Sequence, residues 1–355
     1  MRISGSREGT HTWNEISSQG EVWKRVLEEQ SRSAVVKEIL DGSARRRRWV
    51  FIGCGTSYYL AEAAAVSWST LTGQPAIAVP SSEVLLFPEL IRCEGEDVQA
   101  VAISRSGRTS ETVRAAAALK SELRLPVIGI SCEAGSKLEA TCDKTIVLTA
   151  CDEQSTVMTR SFTSMLLSLQ LLGAQRGGKV GFVEELQAMA GQFAANFGEW
   201  AEAMERLVAA HTFADFVFLG QGGFHGIARE AALKVMEMSC SYSQFFHTLE
   251  FRHGPKAIVS PATSLMFFLS ESGREAETEV LGEMKELGGA IVAVCNRSSA
   301  EVAEASDVVL ETEGSELALL TPYAVAGQLL GFFNGIKKGL NPDQPKNLTR
   351  VVVLD

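Results

Sequence analysis

The chain has 355 residues, which is more than one compact domain usually contains and suits two domains with a core each. Its composition, 46% hydrophobic and 21% charged, is typical of a soluble globular protein. The net charge of -10 argues against nucleic acid as the main partner and gives no support for binding to an anionic membrane surface.

The N-terminal sequence and the spacing of the cysteines indicate the cellular location and the kinds of cross-link to expect. The first residues carry no apolar signal core and no charge-free apolar run is long enough to span a membrane, so a cytoplasmic location is expected. The cysteines are odd in number and lack CxxC spacing, which predicts neither a disulfide framework nor a zinc ribbon. Several lie beside apolar runs and are expected to be buried thiols. The seven are Cys54, Cys93, Cys132, Cys142, Cys151, Cys240 and Cys295.

Short apolar segments alternate with helical patterns along the first half of the chain. Helical spacing extends from Thr12 to Leu40 and from Tyr58 to Leu71, while Ser81 to Leu90 is predicted to form a loop and a short helix. The predicted strands are Trp49 to Ile52, Gly73 to Val79, Val98 to Ile103, Val127 to Ser131 and Thr145 to Thr149. This alternation predicts a parallel β-sheet covered by helices on both faces.

A hydroxyl-rich turn, Ser104 to Thr112, separates an apolar strand from an alanine-rich helical pattern that extends to Lys120. A helix start with free backbone N–H groups and hydroxyl donors suits a phosphate dianion, and Arg105 or Arg108 could add charge-assisted hydrogen bonds. An ordinary Ser or Thr cap with nothing bound is an equal alternative for the turn alone.

A second glycine turn, Gly53 to Ser57, also follows a predicted strand. In a parallel sheet the ligand site lies beyond the carboxyl ends of the strands, so both turns are expected to face one ligand. The glycines allow close backbone approach, while Thr56 and Ser57 add hydroxyls. Two converging turns favour a phosphate site more strongly than one GxG turn does.

The second half of the chain repeats these motifs in the same order. Val50 to Gly55 recurs as Val217 to Gly222, and the Ser104 turn recurs from Ser270 with the same spacing of serine, glycine, arginine and glutamate. Two copies of one α/β domain explain the length better than one large sheet. Because Thr109 is replaced by Glu275, whose carboxylate would repel a phosphate, the phosphate is expected in the first copy only.

These motifs resemble the sugar isomerase (SIS) domain family, in particular the tandem-domain branch that contains the isomerase half of glucosamine-6-phosphate synthase. Three later segments carry the resemblance further: Glu230 to Glu237, Glu250 to Pro255 and Asn341 to Leu348. Met158 to Met165 looks more like the AgaS-type subgroup, described as tagatose-6-phosphate isomerases or galactosamine-6-phosphate deaminases.

The resemblance implies an α/β fold of two SIS domains, each a parallel β-sheet flanked by helices on both faces in a flavodoxin-like three-layer sandwich. The implied domains are an N-terminal helical segment (1–27), a phosphate-binding SIS domain (28–197), a second SIS domain (198–340) and a C-terminal tail that closes the active site (341–355). Implied substrate ligands are Gly55 and Thr156, together with a phosphate cradle of Thr56, Ser57, Ser104, Arg105, Ser106 and Thr109.

Candidate acid and base groups lie in the second copy. Glu230, Lys234 and Glu237 share one helix face by spacing, and spacing alone favours a surface salt bridge between Glu230 and Lys234, with Glu237 in solvent. The resemblance implies instead that Glu237 moves a proton between C1 and C2 of an open-chain sugar phosphate, supported by Lys234 and Glu230. A carboxylate suits this task because burial can raise its pKa towards neutrality. His253, often structural when alone, is implied to open the sugar ring from the neighbouring subunit of a homodimer.

The main departure from the family is Arg350, which stands where the synthase has a tail lysine that forms a Schiff base. Arginine remains protonated in proteins, so it cannot act as a nucleophilic amine, although it could orient a substrate oxygen. No metal and no other cofactor is predicted, since no ligand spacing is evident and hydrogen-bond donors can support an enediol.

The sequence therefore predicts an enzyme that isomerises a hexose 6-phosphate or removes ammonia from an amino-hexose 6-phosphate. The chain leaves no room for a glutaminase domain ahead of the first copy, so glutamine-dependent synthesis is not expected. Two alternatives stay open: a fructosamine-6-phosphate deglycase, and a noncatalytic sensor that binds sugar phosphates. A sensor has no need for Glu237 and His253, and no DNA-binding module precedes the first copy.

Overall fold

The computed structural model describes residues 9–91 and 97–354. Residues 1–8 of the predicted N-terminal segment, Cys93 and the last tail residue lie outside the described residues. Of the described cysteines, Cys132, Cys142, Cys151 and Cys295 are buried free thiols as expected, whereas Cys54 is half-buried and Cys240 is exposed.

Two five-stranded sheets, with every pair of neighbouring strands parallel, form the centre of the fold. The first has the order β2-β1-β3-β4-β5 and the second β10-β9-β8-β6-β7. The strands are β1 Arg48–Gly53, β2 Ala76–Pro80, β3 Val98–Ile103, β4 Val127–Ser131, β5 Lys144–Val147, β6 Asp215–Gly220, β7 Ser243–Phe246, β8 Thr263–Phe268, β9 Ala290–Cys295 and β10 Val308–Glu311.

Helices connect these strands and cover both sheets, which confirms the α/β class and the two sheets predicted from the sequence repeat. The α-helices of the described residues are α1 Thr10–Ser17, α2 Gln19–Ser31, α3 Ala34–Gly42, α4 Thr56–Thr72, α5 Ser81–Leu86, α6 Ser110–Ser121, α7 Lys137–Thr141, α8 Arg160–Arg176, α9 Val180–Ala210, α10 Gly223–Ser239, α11 Arg274–Glu286, α12 Ala300–Ala305 and α13 Leu320–Lys337. Short 3-10 turns cover Pro88–Ile91, Thr149–Cys151, Glu250–Arg252 and Pro255–Ile258.

The chain divides into two compact units, each built around one sheet. Of the described residues, the first-sheet unit contains 19–91, 97–153, 160–190 and 349–354. The second-sheet unit contains 9–18, 154–159 and 191–348. The predicted domain bounds at residues 28, 198 and 341 stay a prediction about sequence segments, because both units combine segments from distant parts of the chain.

The predicted strand β3 is confirmed residue for residue, and all six of its side chains are buried, as expected of a strand covered on both faces. Other element ends differ for local reasons. Gly73 does not begin a strand, because its φ of +69° ends α4 in a left-handed cap. The helical run from Thr12 to Leu40 is three helices, and Ser33 begins the third by accepting a hydrogen bond from the Val36 N–H.

Helix α13 packs closely on α10, the helix that carries the predicted acid and base groups. Gly327, Gly331 and Gly335 form one face of α13, and each faces the α10 backbone so closely that a side chain has no room. A Cβ atom on Gly331 would lie 2.8 Å from the carbonyl oxygen of Lys234. The glycines therefore set the position of α10 around Lys234.

We expect Gly331→Ala to shift α10 and to lower the free energy of unfolding by about 1–3 kcal/mol, since the added methyl overpacks a tight contact. Gly282→Ala is the matched control, because Gly282 also lies inside a helix but has no atom near its Cβ position. The control should be neutral or slightly stabilising, since alanine is the better helix former. Urea unfolding of both variants measures the difference, and equal midpoints would contradict the packing argument.

Candidate functional site

The hydroxyl-rich turn of the first-sheet unit connects β3 to α6, which begins at Ser110. Ser104 and Ser106 are buried, the Ser104 hydroxyl donates to Thr109 Oγ1 at 3.3 Å, and Ser106 Oγ accepts from the Arg108 N–H at 3.2 Å. Gly107 has a φ of +58°, and a Cβ there would lie 2.5 Å from the Cβ of Ser136. The turn is therefore a tight loop of hydroxyl groups at the positive end of a helix, the arrangement that suits an anion.

The glycine turn after β1 lies at the same edge of the sheet. β1 and β3 are hydrogen-bonded neighbours, with Ile52 beside Ala102, so their carboxyl ends lie side by side. Gly55 has a φ of +53° and a ψ of −126°, which favours glycine, and α4 starts at the next residue. Thr56 and Ser57 therefore lie in the first turn of α4, and both are buried.

The side chain of Arg105, a predicted phosphate ligand, is engaged by two other parts of the protein. Its guanidinium donates from Nη1 to Glu153 Oε2 at 3.2 Å and from Nη2 to the carbonyl oxygen of Arg350 at 3.0 Å. Both partners of the ion pair are buried, with 4% of the Arg105 and 0% of the Glu153 side chain exposed. The arginine thus joins the turn to the C-terminal tail.

Glu153 was not singled out in the sequence. Besides Arg105, its carboxylate accepts hydrogen bonds from the backbone N–H of Ser161 at 3.1 Å and from the Ser161 hydroxyl. The available signal was the pair of acidic residues, Asp152 and Glu153, which follow the buried Cys151 and precede an uncharged stretch. Only the fold reveals that the second of them binds an arginine 48 residues earlier.

Arg350 holds the tail in place through both its side chain and its backbone. Its Nη2 lies 2.8 Å from Asp152 Oδ1, and both side chains are about two-fifths exposed, at 41% and 38%. Its carbonyl oxygen accepts the hydrogen bond from Arg105. The guanidinium is thus bound to a carboxylate.

The predicted acid and base helix of the second-sheet unit carries a buried charge cluster. The side chains of Glu230 and Lys234 are fully buried, and Lys234 Nζ lies 3.3 Å from Glu230 Oε1 and hydrogen-bonds Glu237 Oε2. Glu237 is the outermost of the three, with 18% of its side chain exposed. The surface salt bridge considered from the sequence is therefore wrong, since the lysine lies inside the protein.

The charge state of Lys234 follows from its neighbours. Burial pushes the pKa of Lys234 down, but the carboxylates of Glu230 and Glu237 push it up by more, so the pKa lies above its ordinary value. Lys234 is thus an ammonium ion that holds two carboxylates, and it is not a free amine. Glu237 is left as the accessible carboxylate of the cluster.

His253 and Thr156 lie in loops of the second-sheet unit. His253 ends the 3-10 turn Glu250–Arg252, its backbone N–H donates to the Glu250 carbonyl at 3.0 Å, and the residue is exposed. The backbone N–H of Thr156 donates to the Asp343 carbonyl at 3.0 Å. An exposed imidazole is accessible to another molecule, whereas Thr156 is half-buried.

The structure thus divides the predicted residues between the units. The first-sheet unit brings together Gly55, Thr56, Ser57, Ser104, Arg105, Ser106, Thr109 and Arg350. The second-sheet unit contains Thr156, Glu230, Lys234, Glu237 and His253. Among residues 9–91 and 97–354, no group of three His, Cys, Asp or Glu side chains is placed to hold a metal ion. Within the same residues, no helix is long and apolar enough to cross a bilayer.

Comparison with known proteins gives the family. The SIS domain family matches residues 44–174 and 188–329. The chain belongs to the SIS domain family. The isomerizing glutamine–fructose-6-phosphate aminotransferases of Pyrobaculum aerophilum and Pseudomonas putida are 27% and 29% identical, over 91% and 96% of this chain. The chain spans only 54% and 58% of their lengths, so it matches about half of each of these relatives.

Two solved structures match nearly the whole chain. The glucosamine-6-phosphate deaminase of Thermotoga maritima is 28% identical with a TM-score of 0.79, covering 97% of this chain and 100% of that one. The tagatose-6-phosphate ketose/aldose isomerase of Escherichia coli has a TM-score of 0.85 over 98% of this chain and 96% of its own. At 22% identity, the second likeness shows the fold alone.

The repeated turn in the second SIS copy is occupied by its own carboxylate. The buried Glu277 accepts hydrogen bonds from the Ser270 N–H at 2.7 Å and the Ser270 hydroxyl at 3.0 Å. Glu275, which the sequence suggested would repel a phosphate, is exposed instead. The acidic side chain inside this turn is Glu277, and it engages both donors of Ser270.

Glu277 is expected to make stability depend on pH. Burial raises the pKa of the Glu277 carboxyl to about 7 from its ordinary value of 4.5, although the Ser270 hydrogen bonds oppose the shift. The folded chain binds this proton more tightly than the unfolded chain does. The stabilisation is therefore complete below pH 4.5 and is lost, by up to about 3 kcal/mol, as the pH rises to about 7.

Urea midpoints of the wild type, Glu277→Gln and the exposed control Glu275→Gln at pH 5 and pH 8 measure this effect. We expect the urea midpoint of the wild type to fall from pH 5 to pH 8. Glu277→Gln should not show this fall, because glutamine does not ionise. The control should keep it. Parallel pH profiles for wild type and Glu277→Gln would show that the carboxyl is already ionised at pH 5.

Proposed function

We propose that the chain converts an amino-hexose or hexose 6-phosphate to a ketose 6-phosphate by ring opening and proton transfer between C1 and C2. Ammonia is released when the substrate carries an amino group at C2. The observation that carries this proposal is the charge cluster of α10, in which a buried ammonium ion holds Glu230 and the accessible Glu237. Such a carboxylate is suited to take a proton from one carbon and return it to the next.

The relatives support a sugar-phosphate enzyme of the isomerase kind. The two aminotransferases are named as isomerizing enzymes of fructose 6-phosphate, and the Thermotoga maritima protein is a glucosamine-6-phosphate deaminase. The deaminase is matched along its whole length at 28% identity, and this likeness supports ammonia release as part of the proposal. A cytoplasmic homodimer that uses no cofactor is part of the proposal.

The proposed reaction gives each residue one task. The hydroxyl groups of Thr56, Ser57, Ser104, Ser106 and Thr109 bind the phosphate, with Gly55 and Thr156 as further substrate ligands. His253 of a second subunit opens the ring. Glu237 then removes the proton from C2 and delivers it to C1, while the C1 oxygen gains a proton and the amino nitrogen of an amino sugar loses one, which leaves a hydroxyl group at C1 and an imine at C2. Water adds to this imine and ammonia leaves, so one water is consumed for each ammonia released.

Lys234 and Arg350 have supporting tasks in this scheme. Lys234 stays protonated between its two carboxylates, so it stabilises negative charge near Glu237 and does not form a Schiff base. Arg350 cannot form a Schiff base either. The imine is thus hydrolysed by water without a covalent link to the enzyme.

The decisive experiment measures ammonia and ketose 6-phosphate together when the protein is given glucosamine 6-phosphate, galactosamine 6-phosphate or a nitrogen-free aldose 6-phosphate. Ammonia in step with ketose supports the deaminase and identifies its sugar. Ketose from the nitrogen-free sugar alone makes the protein an isomerase. Binding without turnover of any of them leaves a fructosamine-phosphate deglycase or a sensor.

We expect Glu237→Gln to lower kcat by at least about 100-fold while the Kd for sugar phosphate stays within a few fold, since the amide cannot accept the proton. The control is Glu286→Gln, because Glu286 is exposed on another helix and its substitution removes the same charge. The control should keep wild-type kcat. Full turnover in Glu237→Gln would remove this residue from the proposed role.

We expect the double substitution of Ser106 and Thr109 by alanine to raise the Kd for glucosamine 6-phosphate about tenfold or more, because hydrogen bonds to a charged phosphate are lost. Ser272→Ala is the matched control, since Ser272 is the counterpart of Ser106 in the repeated turn. Titration calorimetry compares the three proteins. An unchanged Kd in the double variant would place the phosphate elsewhere.

A further inference from the structure

The buried side chain of Glu15, in α1, binds the backbone of the loop formed by residues 154–159. Glu15 is 3% exposed, and its Oε1 accepts hydrogen bonds from the backbone N–H of Gln154 at 2.6 Å and of Ser155 at 3.2 Å. Its Oε2 accepts a hydrogen bond from the Ser155 hydroxyl. Both α1 and the loop belong to the second-sheet unit. One carboxylate thus engages three donors on two successive residues of the loop.

Asp343 holds both α1 and the same loop. The N-cap residue of α1 is Gly9, which has no side chain to accept from the N–H groups of the first turn. The Asp343 carboxylate accepts these bonds instead, from the Thr12 N–H at 2.7 Å, the Thr12 hydroxyl at 2.8 Å and the His11 N–H at 3.3 Å. The Asp343 carbonyl oxygen accepts from the Thr156 N–H at 3.0 Å. Asp343 thus links the start of α1 to the loop.

These contacts fix the backbone of residues 154–156, because the loop forms neither a helix nor a strand. Its three successive N–H groups, from Gln154 to Thr156, donate to acceptors outside the loop, and two of these bonds go to the Glu15 carboxylate. Hydrogen bonds to an ionised group are stronger than neutral ones, and a buried N–H that loses its acceptor is costly. Glu15 therefore restricts the backbone next to Thr156.

We propose that Glu15 is a positioning residue that sets substrate affinity and the choice between sugar epimers, by fixing the backbone that presents Thr156 to the sugar. The inference rests on the proposed function only for the contact between Thr156 and the substrate. Glu15 itself does not touch the sugar in this scheme, since its carboxylate is buried and engaged by the loop. A site distinguishes isomers by the placement of a few polar groups, so a displaced Thr156 changes the affinities for two epimers by different factors.

The first test measures Kd values by titration calorimetry for glucitol 6-phosphate and galactitol 6-phosphate, open-chain analogues that differ at C4 and cannot be turned over. We expect Glu15→Ala to raise both Kd values and to change their ratio by at least about threefold, because Thr156 is no longer held. Glu15→Gln should stay within about twofold of the wild type, since its amide oxygen still accepts the backbone N–H groups. If Glu15→Ala does not fold, Glu15→Asp replaces it, because the shorter side chain keeps the charge but withdraws the carboxylate from the loop.

Glu277→Ala is the matched control for the loss of a buried carboxylate. Glu277 accepts from the N–H and hydroxyl of Ser270, as Glu15 does from those of Ser155, and it lies in a turn to which no ligand is assigned. The control should keep both Kd values and their ratio. If Glu277→Ala changes the ratio as much as Glu15→Ala does, the effect is a general loss of packing and the proposal is wrong. An unchanged ratio in Glu15→Ala also overturns it.

Amide hydrogen exchange gives a readout that needs no ligand. We expect the N–H groups of Gln154 and Ser155 to exchange at least about tenfold faster in Glu15→Ala than in the wild type, since local opening no longer breaks their bonds to the carboxylate. Glu277→Ala should keep the wild-type rates at both positions. Equal rates in Glu15→Ala and the wild type would overturn this inference alone, because the proposed reaction does not depend on Glu15. If the wild type binds neither analogue, the sugar site of the proposed function fails together with this inference.

Discussion

In a parallel sheet that is covered on both faces, the strands themselves are buried, so polar side chains can lie only at the ends of the strands. Every residue of β3 and of β8 is buried, and the chain changes from apolar to hydroxyl-bearing within one or two residues of their carboxyl ends. Neighbouring strands run in the same direction, so these changes occur at one edge. Because of this constraint, turns far apart in sequence become neighbours, such as those around Gly55 and Gly107.

Each unit also contains a buried cationic side chain that is held by one or two carboxylates. Arg105 is held by Glu153 in the first-sheet unit, and Lys234 by Glu230 and Glu237 in the second. Removing one partner of such a pair typically costs about 3–5 kcal/mol, because it leaves a charge without compensation. Both clusters thus fix local geometry, one at the hydroxyl-rich turn after β3 and the other at the proposed acid and base. Among the side chains of these two clusters, Glu237 is the most exposed, at 18%.

The corresponding turns of the two SIS copies differ in the groups that accept their hydrogen bonds. In the first copy the hydroxyls of Ser104, Ser106 and Thr109 surround the helix start, and the helix amide is met by a carbonyl from the tail. In the second copy the buried Glu277 accepts both donors of Ser270. A side-chain carboxylate thus takes the hydrogen bonds that an anionic ligand would take, so the repeat keeps its shape without a ligand.

The sequence by itself determined the class of the fold, the repeat and the motifs of the candidate site, because these depend on local patterns. The extent of β3 follows from a continuous apolar run, and the helix face shared by Glu230, Lys234 and Glu237 follows from their spacing. The structure decided what depends on distant parts of the chain. No local pattern shows that Lys234 is buried, since this requires the glycines of α13, about a hundred residues later. Likewise, the engagement of Arg105 by Glu153 and Arg350 arises because the fold brings three separate segments together.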